Sequence, residues 1–354
     1  MNGQASGRPR NAVDCVALDA YLTETDRVPD FQPPSTLEQF SFGQSNPTYL
    51  VTCANGTKFV LRKRPAGKVI KGAHAVEREF QVMRALHGSG VPVPVVHHLC
   101  EDDSVLGTPF FVMEFVQGRV LTDPALPEVP PAVRTLYYEE MVRVLAALHS
   151  VDPTSVGLGG FGRHGGYFER QLGTLSRVSS QQSKHADAIP GFDAMVAWLG
   201  AHLPPDSVSI IHGDYKMDNL IWHPTEARVL AVIDWEMSTI GHPKVSSTLF
   251  TLFTFFTNPQ WDVVNMAGFM YQPRGGGAFS GVLGLDLVEE RIPSEALLVH
   301  MYCHAAGEDF PEPHWAFLKA FFYFKSSVIV QGIAARARRG VASSAHASSM
   351  AAMI

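Results

Sequence analysis

The chain has 354 residues, enough to bury one large core or to fold as two lobes. Its 46% hydrophobic and 18% charged content is that of a globular protein. A formal net charge of -6 with no Lys/Arg block argues against a nucleic-acid binder.

The four cysteines, Cys15, Cys53, Cys100 and Cys303, form no CxxC or Cys/His cluster, so reduced thiols in an intracellular protein are expected. Met1 to Asn11 is polar and glycine-rich, without the apolar core of a signal peptide. Residues 13–24 predict a short amphipathic helix, and Pro29, Pro33 and Pro34 mark an extended entry. A polar loop, Phe42-Gly43-Gln44-Ser45-Asn46, precedes a hairpin that joins residues 49–53 to 58–62 around Asn55-Gly56, a two-residue turn signal. On the second strand Val60 and Arg62 point one way, Leu61 and Lys63 the other. Both faces carry apolar neighbours, so alternation does not choose between the two cations. From Ala73 to His87, Val76, Phe80, Met83 and Leu86 recur at helical spacing, with Gly88 and Gly90 as the stop. Glu79 projects into that inward stripe while Glu77 falls off it, and a buried carboxylate needs a cation. Residues 109–118 predict a buried strand ending at Gly118, and Leu136 to His149 a helix with Tyr137, Met141, Val144 and Leu148 inward. Residues 157–190 are polar with few apolar anchors.

The densest chemical signal is Ile211-His212-Gly213-Asp214-Tyr215-Lys216-Met217-Asp218-Asn219-Leu220, followed by Val232-Ile233-Asp234-Trp235-Glu236. Residues 220–222 and 229–233 predict two apolar strands turning at residues 223–226, which would bring Asn219 and Asp234 together. An acid at the loop start, an amide five residues on and a second acid beyond a hairpin suit phosphoryl transfer. Asp214 would orient an attacking hydroxyl, while Asn219 and Asp234 would offer oxygen ligands to magnesium. His212 reads as a buried hydrogen-bonding residue that shapes the loop. The run from Thr248 to Thr257 is too short to span a membrane and reads as a buried helix.

With residues 42–49, 60–63, 90–94, 234–241, Glu79 in its Arg-Glu-Phe context and Gln331-Gly332-Ile333, the sequence resembles the aminoglycoside phosphotransferase and choline kinase superfamily. It is especially similar to the kinase-like domain fused to acyl-CoA dehydrogenases and its free-standing relatives. The resemblance covers about residues 40 to 340. It implies an α+β, bilobal protein-kinase-like fold, with a small antiparallel-sheet lobe bearing one long helix and a larger, mostly helical lobe. The implied organisation is a tail and short helix over 1–35, a nucleotide-clamping lobe over 36–116, a catalytic lobe over 117–340 and a flexible tail over 341–354. ATP and Mg are the implied cofactors. The resemblance aligns Arg62 with the position where many kinases place lysine and pairs it with Glu79. It puts Ser45 and Asn46 at the phosphates and makes Glu114 to Val116, with Val116 itself, the adenine-binding connector. The implied acceptor is a small-molecule hydroxyl, a hydroxyacyl-CoA or related lipid-derived metabolite, and the implied partner an acyl-CoA dehydrogenase-type enzyme. The expected location is cytoplasmic, with mitochondrion and peroxisome open.

One stretch departs from the family. Its usual Gly-Asp-Pro with an aspartate three residues after the proline is replaced by Gly241-His242-Pro243-Lys244-Val245-Ser246. In the family the second acid braces the catalytic loop through backbone N–H groups. Its replacement by Ser246 motivates a competing expectation, a nucleotide-binding pseudokinase with a regulatory or scaffolding role. Adenylyl transfer on the same fold is a third. In the relatives the acceptor pocket uses residues 157–190 and the helices after 290, where Tyr302, His304, Glu308, Asp309 and Trp315 are unassigned candidates.

Overall fold

The computed structural model describes residues 13–40, 46–66, 75–162, 167–205, 209–241, 260–274 and 280–339. Ser45 and the loop before it, His242, Ser246, the Thr248–Thr257 run and the 341–354 tail fall outside them.

Asp14 caps α1 (Cys15–Thr25) by accepting the N–H groups of Val16 and Ala17. Strands β1 (Thr36–Gln39), β2 (Thr48–Thr52), β3 (Lys58–Lys63), β4 (Val96–Cys100) and β5 (Phe110–Glu114) form one antiparallel sheet, ordered β1-β2-β3-β5-β4. The β2–β3 turn has three residues, Ala54 to Gly56, where the sequence suggested two. Cys53 and Thr57 close it at 2.9 Å and Gly56 takes φ 83°, the left-handed residue of a type I turn with a bulge.

Both faces of this sheet are covered. Leu18 and Leu22 of α1 lie with Tyr49, Val51, Phe59, Leu61, Phe110 and Val112 on one side. On the other, α2 (Val76–Leu86) sets Phe80 and Met83 against Val60, Phe111 and Met113. That double burial is why alternation did not distinguish Arg62 from Lys63, each 9% exposed.

After α3 (Asp103–Leu106) and β5, the chain crosses to β6 (Arg119–Val120). Gly118 is obligatory there, since a Cβ would lie 2.4 Å from the Trp222 carbonyl oxygen. Pro131 opens α4 (Pro131–Ser150) more than a turn before the sequence suggested, a position where a missing N–H costs nothing. The larger lobe continues with α5 (Tyr167–Gln182), α6 (Phe192–Ala201), β7 (Ser209–Ile211), β8 (Leu220–Trp222), β9 (Val229–Val232), β10 (Thr239–Gly241), α7 (Gln260–Ala267), α8 (Glu295–Ala306) and α9 (Trp315–Arg338). β6, β8 and β9 form one small sheet, β7 and β10 another. Gln331 of α9 is fully buried and ties that helix to α5, bonding Ser179 and Ser183 at 2.8 and 3.1 Å.

The lobes are stitched together beside the catalytic segments. Val232 N–H donates to the Pro92 carbonyl at 2.8 Å. Arg78 of α2 donates to the carbonyls of Phe161 and Ser238 at 2.8 and 3.3 Å and lies 3.9 Å over the Phe161 ring. No described helix is long and apolar enough to cross a membrane.

Candidate active site

β7 delivers His212, Gly213 and Asp214 to the base of a cleft. Gly213 turns at φ 88°, and a Cβ there would lie 2.5 Å from the Met237 carbonyl oxygen, so no other residue makes this turn without strain. His212 is fully buried. Its Nε2 lies 3.0 Å from the Ile233 carbonyl and its Nδ1 accepts the Asp214 N–H at 3.2 Å. Both bonds are made at once by the tautomer protonated on Nε2. One ring therefore links the residue carrying the first acid to the residue before the second.

Asn219 completes the convergence. Its side-chain nitrogen donates to the Asp214 backbone carbonyl and to Asp214 Oδ2 at 2.8 and 3.0 Å, and its backbone carbonyl accepts the Ile233 N–H at 3.0 Å. Asp234 sits in the left-handed region, φ 67°, an unusual conformation that aspartate tolerates better than most residues. Asp214, Asn219 and Asp234 thus share one locality. The donor set suits magnesium, which takes few protein oxygens and completes its shell with water and phosphate. Among the described residues no group of three or more His, Cys, Asp or Glu forms a metal cage of its own.

The brace beneath this loop differs from the sequence expectation. Asp262 of α7, with no exposed surface, accepts the N–H groups of His212 and Gly213 at 2.6 and 2.8 Å. Trp261 and Asn265 each donate to the Gly213 carbonyl at 3.3 Å. His149 approaches Asp262 at 3.3 Å and is itself held by the Tyr302 hydroxyl at 2.8 Å. An acid thus braces the loop from a position sixteen residues after Ser246. No motif spacing marked Asp262, and only the fold brings it under the loop.

Arg62, not Lys63, faces the acids. Its guanidinium lies 2.7 Å from Glu79, 2.7 Å from Asp234 and 4.0 Å from Glu236. Lys63 points to the opposite face and donates to Thr108 at 2.6 Å. Burial alone would lower the Arg62 guanidinium, but the carboxylates of Glu79 and Asp234 outweigh it and leave it raised. Burial pushes the Glu79 carboxyl up to about 7, against the pull of Arg62. Glu79 is 1% exposed, and Asn46, fully buried, donates to it at 2.7 Å. Glu79 is thus the carboxylate partner of Arg62, and Asn46, expected at the phosphates, bonds Glu79. Glu114 is likewise committed: its N–H and carboxylate both bond Val95, at 2.8 and 3.1 Å. Its N–H is thus taken, and half-buried Val116 is the other connector residue expected at adenine.

The model of the phosphotransferase enzyme family matches residues 36–245. The chain belongs to this family. It is 40% identical to acyl-CoA dehydrogenase family member 11 of Gallus gallus, a match covering 99% of this chain and 43% of that protein. The chain therefore spans less than half the length of this curated relative. It is also 40% identical to a solved Ralstonia eutropha JMP134 protein provisionally described as an aminoglycoside phosphotransferase, with TM-score 0.81 over 96% of this chain and 94% of that one. Choline kinase of Cryptosporidium parvum Iowa II shares the fold at 13% identity, TM-score 0.58, covering 96% and 93%. So does a streptomycin–ATP ternary complex of APH(2″)-IIa, at 14% identity, TM-score 0.55, covering 97% and 95%.

In this family member a cleft of about 340 Å³ opens beside Asp214. Lys216 bridges Asp214 and Asp218 at 3.5 and 3.4 Å. Burial raises the Asp218 carboxyl, with Lys216 opposing the shift. The far wall comes from α7, the turn after it and α9, including Phe269, Phe322 and Lys325. None of the described residues among 157–190 lines it, and neither do Tyr302, His304, Glu308, Asp309 or Trp315. Tyr302 is instead core, 1% exposed, and Trp315 donates to Glu295.

Proposed function

We propose that this protein transfers the terminal phosphoryl group of ATP, with magnesium, to the hydroxyl of a small molecule. The observation that carries the proposal is the convergence of Asp214, Asn219 and Asp234 through His212 and the Asn219–Ile233 hydrogen bond. Asp214 would receive or orient the acceptor's hydroxyl proton, and Asn219 and Asp234 would hold the metal. When bound, magnesium supplies charge neutralisation along the phosphates. Arg62, kept cationic by its ring of carboxylates, would clamp phosphate together with the Ser45 hydroxyl, Asn46 would hold Glu79 in place for Arg62, and Val116 would receive adenine. Catalysis of this kind is mostly positioning, and the braced loop supplies it.

The acceptor we infer is a hydroxylated acyl-CoA or related lipid-derived metabolite. The name of the Gallus gallus relative supports that class, and supports association with an acyl-CoA dehydrogenase-type enzyme. The pseudokinase alternative rested on a missing brace, and Asp262 fills that place, so catalysis is the stronger reading.

The test is ADP release against a panel of hydroxylated acids, their CoA thioesters, amino alcohols and aminoglycosides. Asp214→Asn should lower turnover by about 10²–10⁴-fold, the range for loss of a general base, while keeping the magnesium–ATP thermal shift. Absence of any nucleotide-dependent shift in the native protein sinks the proposal, and AMP as product would mean adenylyl transfer.

A further inference from the structure

Lys325 sits on the inner face of α9, its amine 4.4 Å above the centroid of the Trp261 ring, in the wall of the cleft that holds Asp214. The other charged side chains lining that cleft are Asp214, Lys216, Asp218 and Glu236, all from the catalytic loop and the turn after Asp234. They already have partners. Lys216 lies between Asp214 and Asp218 at 3.5 and 3.4 Å, and Glu236 is 4.0 Å from Arg62.

Lys325 differs. Among the described residues no carboxylate lies within 4.0 Å of its amine. Around it the wall is apolar, with Met266, Phe269, Phe322 and Ile329. Burial lowers the amine, and the fields of Asp214 and Asp262 offset this only in part. A partly buried ammonium in contact with a ring and no counter-ion is costly to leave unpaired. The wall formed by α7 and α9 offers a cationic ligand no carboxylate, and offers an anionic one this lysine.

We propose that Lys325 receives an anionic group of the acceptor, a carboxylate or a phosphate, while the acceptor's hydroxyl lies against Asp214. This rests on the phosphotransferase reading and narrows its substrate to anionic alcohols. Amino alcohols and other cationic acceptors are disfavoured by the same wall.

The probes are hydroxyalkanoates of four to eight carbons, their methyl esters, their CoA thioesters and choline. Each is read by thermal shift with magnesium and a non-hydrolysable ATP analogue, and by ADP release. Free acids or thioesters should stabilise the native protein and be turned over, while esters and choline should not. Acids alone acting would assign the anion to a carboxylate, and thioesters alone to phosphate.

Lys325→Gln should raise the acceptor KM about ten- to hundredfold, the scale for a lost charge-assisted bond. It should leave the KM for ATP within about twofold. Lys325→Arg should restore acceptor binding, and the nucleotide-induced shift serves as the folding control for both variants. Equal KM values for acid and ester, or an acid preference that survives Lys325→Gln, would overturn the proposal. So would a panel in which no anionic probe shifts the melting temperature. A Lys325-dependent shift by acids in a protein that binds no nucleotide would sink the phosphotransferase reading and leave the anion site standing.

Discussion

Arg62 serves three groups at once: Nε faces Glu79, one terminal nitrogen faces Asp234 and the other donates to Thr48 at 3.2 Å. Lysine keeps the charge but has one nitrogen and no fork, so Arg62→Lys cannot satisfy all three. Breaking a buried pair leaves an uncompensated carboxylate. Urea unfolding of Arg62→Lys should show a loss of about 2–3 kcal/mol, and turnover should fall at least about tenfold. A variant with native stability and activity would show that the fork does no more than a point charge.

A second residue supplies a pH prediction. Glu312 is 8% exposed; its Oε2 accepts the His314 N–H at 2.7 Å, and its Oε1 has no partner among the described residues. Burial pushes its carboxyl from 4.5 up to about 7, with Glu308 adding to the rise and the His314 N–H opposing it. The folded state therefore holds this proton more tightly than the unfolded chain. Its contribution is fully present below about pH 4.5 and is lost as pH rises through about 7. Glu312→Gln should flatten the stability profile between pH 5 and 8 by on the order of 1–2 kcal/mol, after discounting for solvent screening. Melting curves at the two pH values measure it, and unchanged steepness would refute the assignment.

At the scale of elements, the α7 brace depends on position in space and not on spacing in the chain. Gly241 pairs with Ser209 at one end of β7, and Asp262 holds His212 just past the other end. Asp262→Ala leaves two buried N–H groups unpaired and should cost about 3 kcal/mol or more in urea unfolding. Native stability in that variant would mean that the loop holds its shape without the acid.

The same brace marks where reading the sequence stopped. The loop acids and Glu79 were legible because each lies in a short motif or on a periodic stripe. Arg62 and Lys63 were not separable by alternation, since helices cover both sides of β3. Asp262 was hidden by distance along the chain. Lys325 was hidden because α9 buries Phe317, Leu318, Phe321, Phe322 and Phe324 within ten residues, leaving no polar stripe to make a lysine stand out.

At the scale of the whole molecule, Arg78 connects the two lobes through the Phe161 and Ser238 carbonyls, and Arg62 connects them through Glu79 and Asp234. Arg78→Ala should therefore loosen α2 as a unit. Amide hydrogen exchange over residues 76–86 should quicken by about tenfold or more, consistent with loss of at least about 1.4 kcal/mol of local stability. Unaltered exchange would mean that the apolar contacts of α2 suffice.

That attachment has a consequence for control. With Arg78 bonded to the larger lobe and Glu79 to Arg62, an outward swing of α2 has to break both attachments, so on the proposed reading the acid pair would be in place as soon as the chain folds. Its output would follow the supply of alcohol reaching the cleft, without waiting for another protein to switch it on.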